Sequence, residues 1–331
     1  MDETVQKPHD RLAHALRADM AAVNALIRSR MASEHAPRIP EVTAHLVEAG
    51  GKRLRPLLTL AAARLCGYAG PYHVHLAATV EFIHTATLLH DDVVDESARR
   101  RGRPTANLLW DNKLSVLVGD YLFSRSFQLM VETGSIRVLD ILANASATIA
   151  EGEVLQLTAA QDLATGEATY LQIVRGKTAA LFSAATEVGG VIASAPEAQV
   201  RALFTYGDAL GIAFQIVDDL LDYGGSADEI GKNTGDDFRE RKVTLPVIKA
   251  VAVASADERA FWDRVIGKGQ QVPGDLEQAM AIMARHGALT AARDAALVWA
   301  ARAQAALVVL PDVPLRGMLH ELADYVVARI N

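Results

Sequence analysis

The sequence predicts an all-α fold, and three observations predict it. Half of the residues are apolar but only 5% are aromatic. With alanine abundant, that composition favours closely packed helices over a sheet. Apolar residues recur at steps of three and four, and no stretch shows strand alternation. Glycine and proline fall at intervals that cut the chain into helix-sized pieces. At 331 residues the chain is long for one domain. An all-helical enzyme can reach that size as one unit, so a single domain over 1–331 is expected.

The elements follow in order. Residues 1–10 are polar and are expected to form a mobile arm. Leu12, Leu16, Met20, Val23 and Ile27 mark an amphipathic helix from Arg11 to about Ser33. Pro40 suits a first helical turn, and a short helix runs to Ala49, stopped by Gly50 and Gly51. The segment GGKRLRP leads into an apolar helix from Pro56, broken at Gly70-Pro71. No glycine or proline interrupts Tyr72 to Ala98, which predicts one long helix. Asp111 or Asn112 can cap a helix to about Thr133, with Gly134 as its stop. Helices are predicted over 135–162 and 167–191, and Pro196 opens another that reaches Tyr223. Residues 224–242 read as a polar loop, after which VTLPVIKAVAVA resumes a helical pattern. From about 255 to 331 come three or four amphipathic helices with no chemical signature, expected to serve packing or subunit contact.

Composition excludes several classes. One cysteine, Cys66, allows no intrachain disulfide. The opening MDETVQKPHD lacks an apolar signal core, so a cytoplasmic protein is expected. No apolar run of about eighteen residues is free of charge, so no membrane span is expected. A net charge of −7 argues against nucleic acid as the main partner. Positive charge is concentrated at Lys52, Arg53 and Arg55 and again at Arg99 to Arg103.

The chemistry centres on EFIHTATLLHDDVVDESARRRGRPT, residues 81–105. Asp91 and Asp95 are four apart and share a helix face. Two carboxylates about 4 Å apart repel by about 4 kcal/mol at an effective dielectric near 20. The helix C-terminus already carries partial negative charge, which makes this a poor place for anions. Divalent cations would relieve the repulsion, and the arginines that follow suit phosphate oxygens. A second copy, QIVDDLLDY, places Asp218, Asp219 and Asp222 on another apolar helix.

These residues, with GGKRLRP upstream and GKNTGDD downstream, resemble the trans-isoprenyl diphosphate synthases. EFIHTATLLHDDVVDES is similar in particular to the octaprenyl and other polyprenyl synthases that make quinone side chains. The resemblance covers about 45–250. It implies helices around a deep central cavity (the isoprenoid synthase type), usually as a homodimer, and head-to-tail condensation of isopentenyl diphosphate with an allylic diphosphate. It implies Mg²⁺, with Asp91 and Asp95 as ligands from one side and Asp218 from the other. Asp92, Asp219 and Asp222 are either ligands or partners of the ligands. By position, Lys52, Arg55, His84 and Arg101 match the isopentenyl diphosphate site. Arg100, Lys177, Thr178, Gln215 and Lys232 match the allylic diphosphate site, and Lys242 is a further cationic candidate. The departing pyrophosphate is implied as the base for the final proton, which agrees with the lack of an evident protein base. Product release implies transient membrane contact.

Ala86 and Thr87, five and four residues before Asp91, are small. Short-chain relatives carry a bulky aromatic there, so a longer product is expected, or else close helix packing. Phe127 or Met130 on the next helix could form a deeper floor. Three rival readings are a farnesyl or geranylgeranyl synthase, a class I terpene cyclase, and a non-catalytic subunit. The full second motif disfavours the cyclase, and two intact motifs disfavour the non-catalytic subunit.

Overall fold

The computed structural model describes residues 7–48, 52–100, 102–224 and 235–329. In chain order the helices are α1 Pro8–Ala15, α2 Arg17–Met31, α3 Arg38–Glu48, α4 Leu54–Leu65 and α5 Tyr72–Val94. After a two-stranded ribbon (β1 Arg99–Arg100, β2 Arg103–Pro104) come α6 Ala106–Leu109, α7 Asn112–Glu132, α8 Ile136–Ala159 and α9 Glu167–Val174. A π-helical turn, Arg175–Ala179, leads into α10 Ala180–Ile192, and then α11 Glu197–Gly224 follows. The last elements are α12 Asp236–Arg239, α13 Leu245–Ala252, α14 Ala256–Trp262, α15 Asp275–Arg285, α16 Ala288–Ala306 and α17 Pro314–Ala328. The all-α prediction holds.

The chain divides into two compact units. The first is Met1–Ser146 with Leu181–Gly207 and Ala306–Leu322, and the second is Ala147–Ala180 with Asp208–Ala305 and Ala323–Asn331. The first unit is built around α5. Its buried residues, among them Leu76, Val80, Phe82, Ile83, Ala86 and Leu89, lie all round the helix rather than on one stripe. Such a helix belongs in a core, and α5 packs against α2, α4 and α7. It runs antiparallel to α7: His90 Nε2 donates to Val116 O (3.2 Å) near one end, and His75 Nε2 lies 3.3 Å from Glu132 near the other. A Cβ on Gly119 would fall 2.2 Å from His90 Nε2, so glycine is what lets the imidazole lie across α7.

The second unit packs Tyr223, Phe238, Val247, Trp262, Val265, Ile266 and Met283 into one cluster. Along α16, Ala288, Ala292, Ala296, Ala300 and Ala303 are buried at mostly four-residue spacing, so a face with no large side chains can approach its neighbours closely. Helix α11 is long and apolar enough to cross a membrane, yet 72% of its most apolar window is buried. It is a core helix.

Several boundaries differ from expectation. Helix α1 already begins at Pro8, which takes the first helical position, so 8–10 are not a loose arm. Residues 1–6 lie outside the described residues, as do Ala49, Gly50 and Gly51. The single helix expected from Arg11 is interrupted at Leu16 (φ −106°, ψ 17°), where no glycine or proline marks a break. Helix α5 stops at Val94, four residues short of Ala98, and Glu96 turns into the left-handed region (φ 49°). Four carboxylates at the negative end of a helix account for the early stop. The arginine segment then pairs Arg100 with Arg103 across Gly102 (φ 76°). A ribbon of two rungs is too short to leave a period-two pattern. The expected 167–191 helix carries the π turn at RGKTA. There α8 and the turn touch backbone to backbone: a Cβ on Gly176 would lie 2.7 Å from Gly152 Cα.

Candidate active site

In the first unit Arg53 and Arg55 of the upstream basic segment both reach α5. The GGKRLRP segment needs a sharp entry into α4, and Arg53 supplies it with φ 47°. Lys52 is exposed, and its carbonyl accepts a hydrogen bond from His9 Nε2 at 2.6 Å. Arg55, on the first turn of α4, donates through Nη1 to His84 Nε2 at 3.2 Å. Guanidinium can only donate, so His84 Nε2 is the acceptor of this bond. The Arg55 guanidinium also lies 4.6 Å from the centre of the Phe182 ring, which fixes it from a second side. Arg53 pairs with Glu81 at 2.8 Å. Glu81 sits three residues before His84 on the same face of α5, so both arginines meet one side of that helix.

The first aspartate motif is sorted by burial. Asp92 is 1% exposed, Asp91 is half-buried and Asp95 is exposed. Arg100 donates to Asp92 Oδ1 through both Nε (2.9 Å) and Nη2 (2.8 Å). Asp92 Oδ2 is buried without a hydrogen-bond partner. Asp92 is thus bound to Arg100 within the protein, while Asp91 and Asp95 end α5 on its more open side. Arg99 is exposed. Arg101 lies outside the described residues. Ala86 is fully buried, and Thr87 is half-buried with its hydroxyl on His84 O (2.8 Å). Met130 is buried and Phe127 is 44% exposed on α7.

The second unit holds the other motif. Asp219 is 5% exposed and accepts from Tyr170 Oη at 2.6 Å and from Gln215 Nε2 at 2.8 Å. Gln215 Oε1 in turn accepts from Thr178 Oγ1 at 2.8 Å. Burial pushes the Asp219 carboxyl well above the usual carboxylate range, and the nearby Asp237 charge pushes the same way. Burial, again aided by Asp237, raises Asp222 to about 6. Asp222 accepts the backbone N–H groups of Asp236 (3.2 Å) and Asp237 (3.0 Å), while its carbonyl accepts from Gly235 (2.8 Å). Asp222 therefore holds the GDD turn rather than standing open. Lys177 pairs with Glu153 at 3.0 Å, and Lys242 with Asp237 at 3.5 Å. Asp218 is half-buried on α11. Lys232 lies outside the described residues.

The donor chemistry fits a hard divalent cation. The charge of Asp237 raises both Asp219 and Asp222, and that of Asp218 also raises Asp219, so carboxylates gather at this end of α11. Among the described residues no group of three His, Cys, Asp or Glu forms a finished metal cage. Carboxylate oxygens are the ligands Mg²⁺ prefers, usually one or two of them with water and substrate phosphate.

A model of the polyprenyl synthetase family matches residues 36–283. The octaprenyl diphosphate synthase of Escherichia coli (strain K12) is 44% identical over 313 residues, covering 94% of this chain and 96% of that one. A crystal structure of a decaprenyl diphosphate synthase from Rhodobacter capsulatus superposes with a TM-score of 0.95 at 78% identity, covering 98% of this chain and 99% of that one. A polyprenyl synthase from Caulobacter crescentus CB15, complexed with calcium and isoprenyl diphosphate, gives a TM-score of 0.93 at 52% identity, with 98% of each chain covered. With its all-α fold and both aspartate motifs in place, the chain belongs to the polyprenyl synthetase family, among the prenyltransferases that make polyprenyl diphosphates.

Proposed function

We propose that the chain is a long-chain trans-polyprenyl diphosphate synthase. It condenses isopentenyl diphosphate head-to-tail onto an allylic diphosphate and yields an octaprenyl to decaprenyl product for a quinone side chain. The observation that carries this reading is the pair of complete aspartate motifs, each on a core helix with a half-buried leading carboxylate, Asp91 and Asp218.

Asp91, Asp95 and Asp218 offer oxygen ligands for Mg²⁺. Bound there, Mg²⁺ would supply positive charge to offset the negative charge of the leaving diphosphate. The remaining aspartates hold other groups. Asp92 fixes Arg100, Asp219 fixes Gln215, and Asp222 fixes the GDD turn. Lys52, Arg55, His84 and Arg101 bind isopentenyl diphosphate, with His84 Nε2 also orienting the Arg55 fork. Arg100, Lys177, Thr178, Gln215 and Lys232 bind the allylic diphosphate. The pyrophosphate released from the allylic substrate takes the final proton. Small Ala86 and Thr87 leave room for a lengthening chain.

The enzyme acts in the cytoplasm as a homodimer, with transient membrane contact for product release. Exposed Leu117 (62%), Val131 (66%) and Ile136 (79%) on α7 and α8 support self-association. The test is the purified chain with both substrates and a chelator. Added Mg²⁺ must restore condensation. Condensation without divalent ions, or none with them, would overturn the reading.

A further inference from the structure

We infer that Tyr170 is a positioning residue for diphosphate binding, acting through Asp219 and Gln215; this rests on the magnesium–diphosphate reading above. Tyr170 is 4% exposed, and its hydroxyl makes the 2.6 Å bond to Asp219 Oδ2. The hydrogen bonds run in one direction. Thr178 donates to the Gln215 carbonyl, Gln215 donates to Asp219 Oδ1, and Tyr170 donates to Asp219 Oδ2. Asp219 is the terminal acceptor, with both oxygens engaged.

That arrangement fixes the Gln215 amide. A flipped amide would set its carbonyl oxygen against an acceptor oxygen of Asp219. In the observed orientation one Gln215 N–H is used at Asp219, and the second remains to donate to an oxygen ligand. Tyr170 holds the Asp219 carboxylate at the rotation that makes this possible. It also stands on α9, which runs directly into the π turn carrying Lys177 and Thr178. The same short stretch therefore bears the cation, the hydroxyl and the lock on the second motif.

The experiment measures binding of inorganic pyrophosphate in the presence of Mg²⁺ by calorimetry, and KM and kcat for the allylic substrate. Tyr170→Phe is expected to weaken pyrophosphate binding about tenfold, with a matching rise in allylic KM and a smaller change in kcat. Tyr206→Phe is the control. It removes an equally buried hydroxyl that bonds only Leu319 O, and it should leave both readouts unchanged. Unaltered pyrophosphate affinity in folded Tyr170→Phe, or equal losses in Tyr206→Phe, overturns the inference. Absence of pyrophosphate binding in the unsubstituted protein overturns the magnesium–diphosphate reading itself. If Tyr170→Phe does not fold, tyrosine-labelled unsubstituted protein decides. The hydroxyl-bearing carbon of Tyr170 must shift on adding Mg²⁺ and pyrophosphate while that of Tyr206 stays, and a still Tyr170 signal contradicts the proposal.

Discussion

Replacing Gly176 with alanine tests how the π turn is held. The added Cβ would stand 2.7 Å from Gly152 Cα, 3.1 Å from Thr148 O and 3.2 Å from Gly152 N. All three atoms are backbone of α8, so no flexible side-chain end can swing aside. Relief requires the turn and α8 to separate by several tenths of an ångström. Overpacking of this kind costs about 1–3 kcal/mol. The separation also displaces Lys177 and Thr178, the next two residues, and loosens the 3.0 Å Lys177–Glu153 pair. Denaturant unfolding should therefore lose about 1–3 kcal/mol, and KM for the allylic diphosphate should rise. Gly317→Ala is the counterpart. Gly317 lies exposed within α17 with nothing within 4 Å of the added atom. There alanine should stabilise by about 0.5–1 kcal/mol, as glycine in a helix is entropically unfavourable. If Gly176→Ala matches the parent in both stability and KM, the backbone contact does not hold the turn.

Asp91→Ala or Asp218→Ala should each lower kcat by at least about a hundredfold, because each removes charge opposed to the cations; near-normal turnover in both would refute their assignment. Ala86→Phe places a large ring at a fully buried position on α5 and should shorten the product; chromatography showing an unchanged product ladder counts against a chain path along α5. Acid unfolding checks Glu258, whose carboxylate accepts the Ser255 N–H (2.9 Å) and pairs with His286 (2.9 Å), lowering it from 4.5 to about 2. A depressed carboxylate stabilises fully above pH 4.5, and that stability is lost as the pH falls toward 2. The stability gap between the parent and Glu258→Gln should thus be widest at neutral pH and close over that window; a gap constant down to pH 2 would contradict it.

Much of this architecture is legible in the residue order. The helix capped at Asp111 begins as predicted, with Asp111 Oδ1 accepting the Leu114 N–H at 2.6 Å, because capping is a local interaction of three residues. Residues such as Tyr170 and Glu153 were not legible. Their partners, Asp219 and Lys177, lie 49 and 24 positions away, and no spacing rule reaches across such separations. The end of α5 at Val94 differs from the breaker-free run for a related reason. The run to Ala98 contains no breaker, and the accumulated carboxylate charge ends the helix instead. The aspartate spacings announced the chemistry, but the division of tasks among the carboxylates depends on burial. Asp92, Asp219 and Asp222 are buried and bonded within the protein, whereas Asp95 is exposed.

The most direct measurement is the length of what the enzyme makes. Purified protein, supplied with Mg²⁺, isopentenyl diphosphate and farnesyl diphosphate, should release all-trans products in the octaprenyl to decaprenyl range. A product that stops at geranylgeranyl, or no extension of the primer at all, would contradict the account.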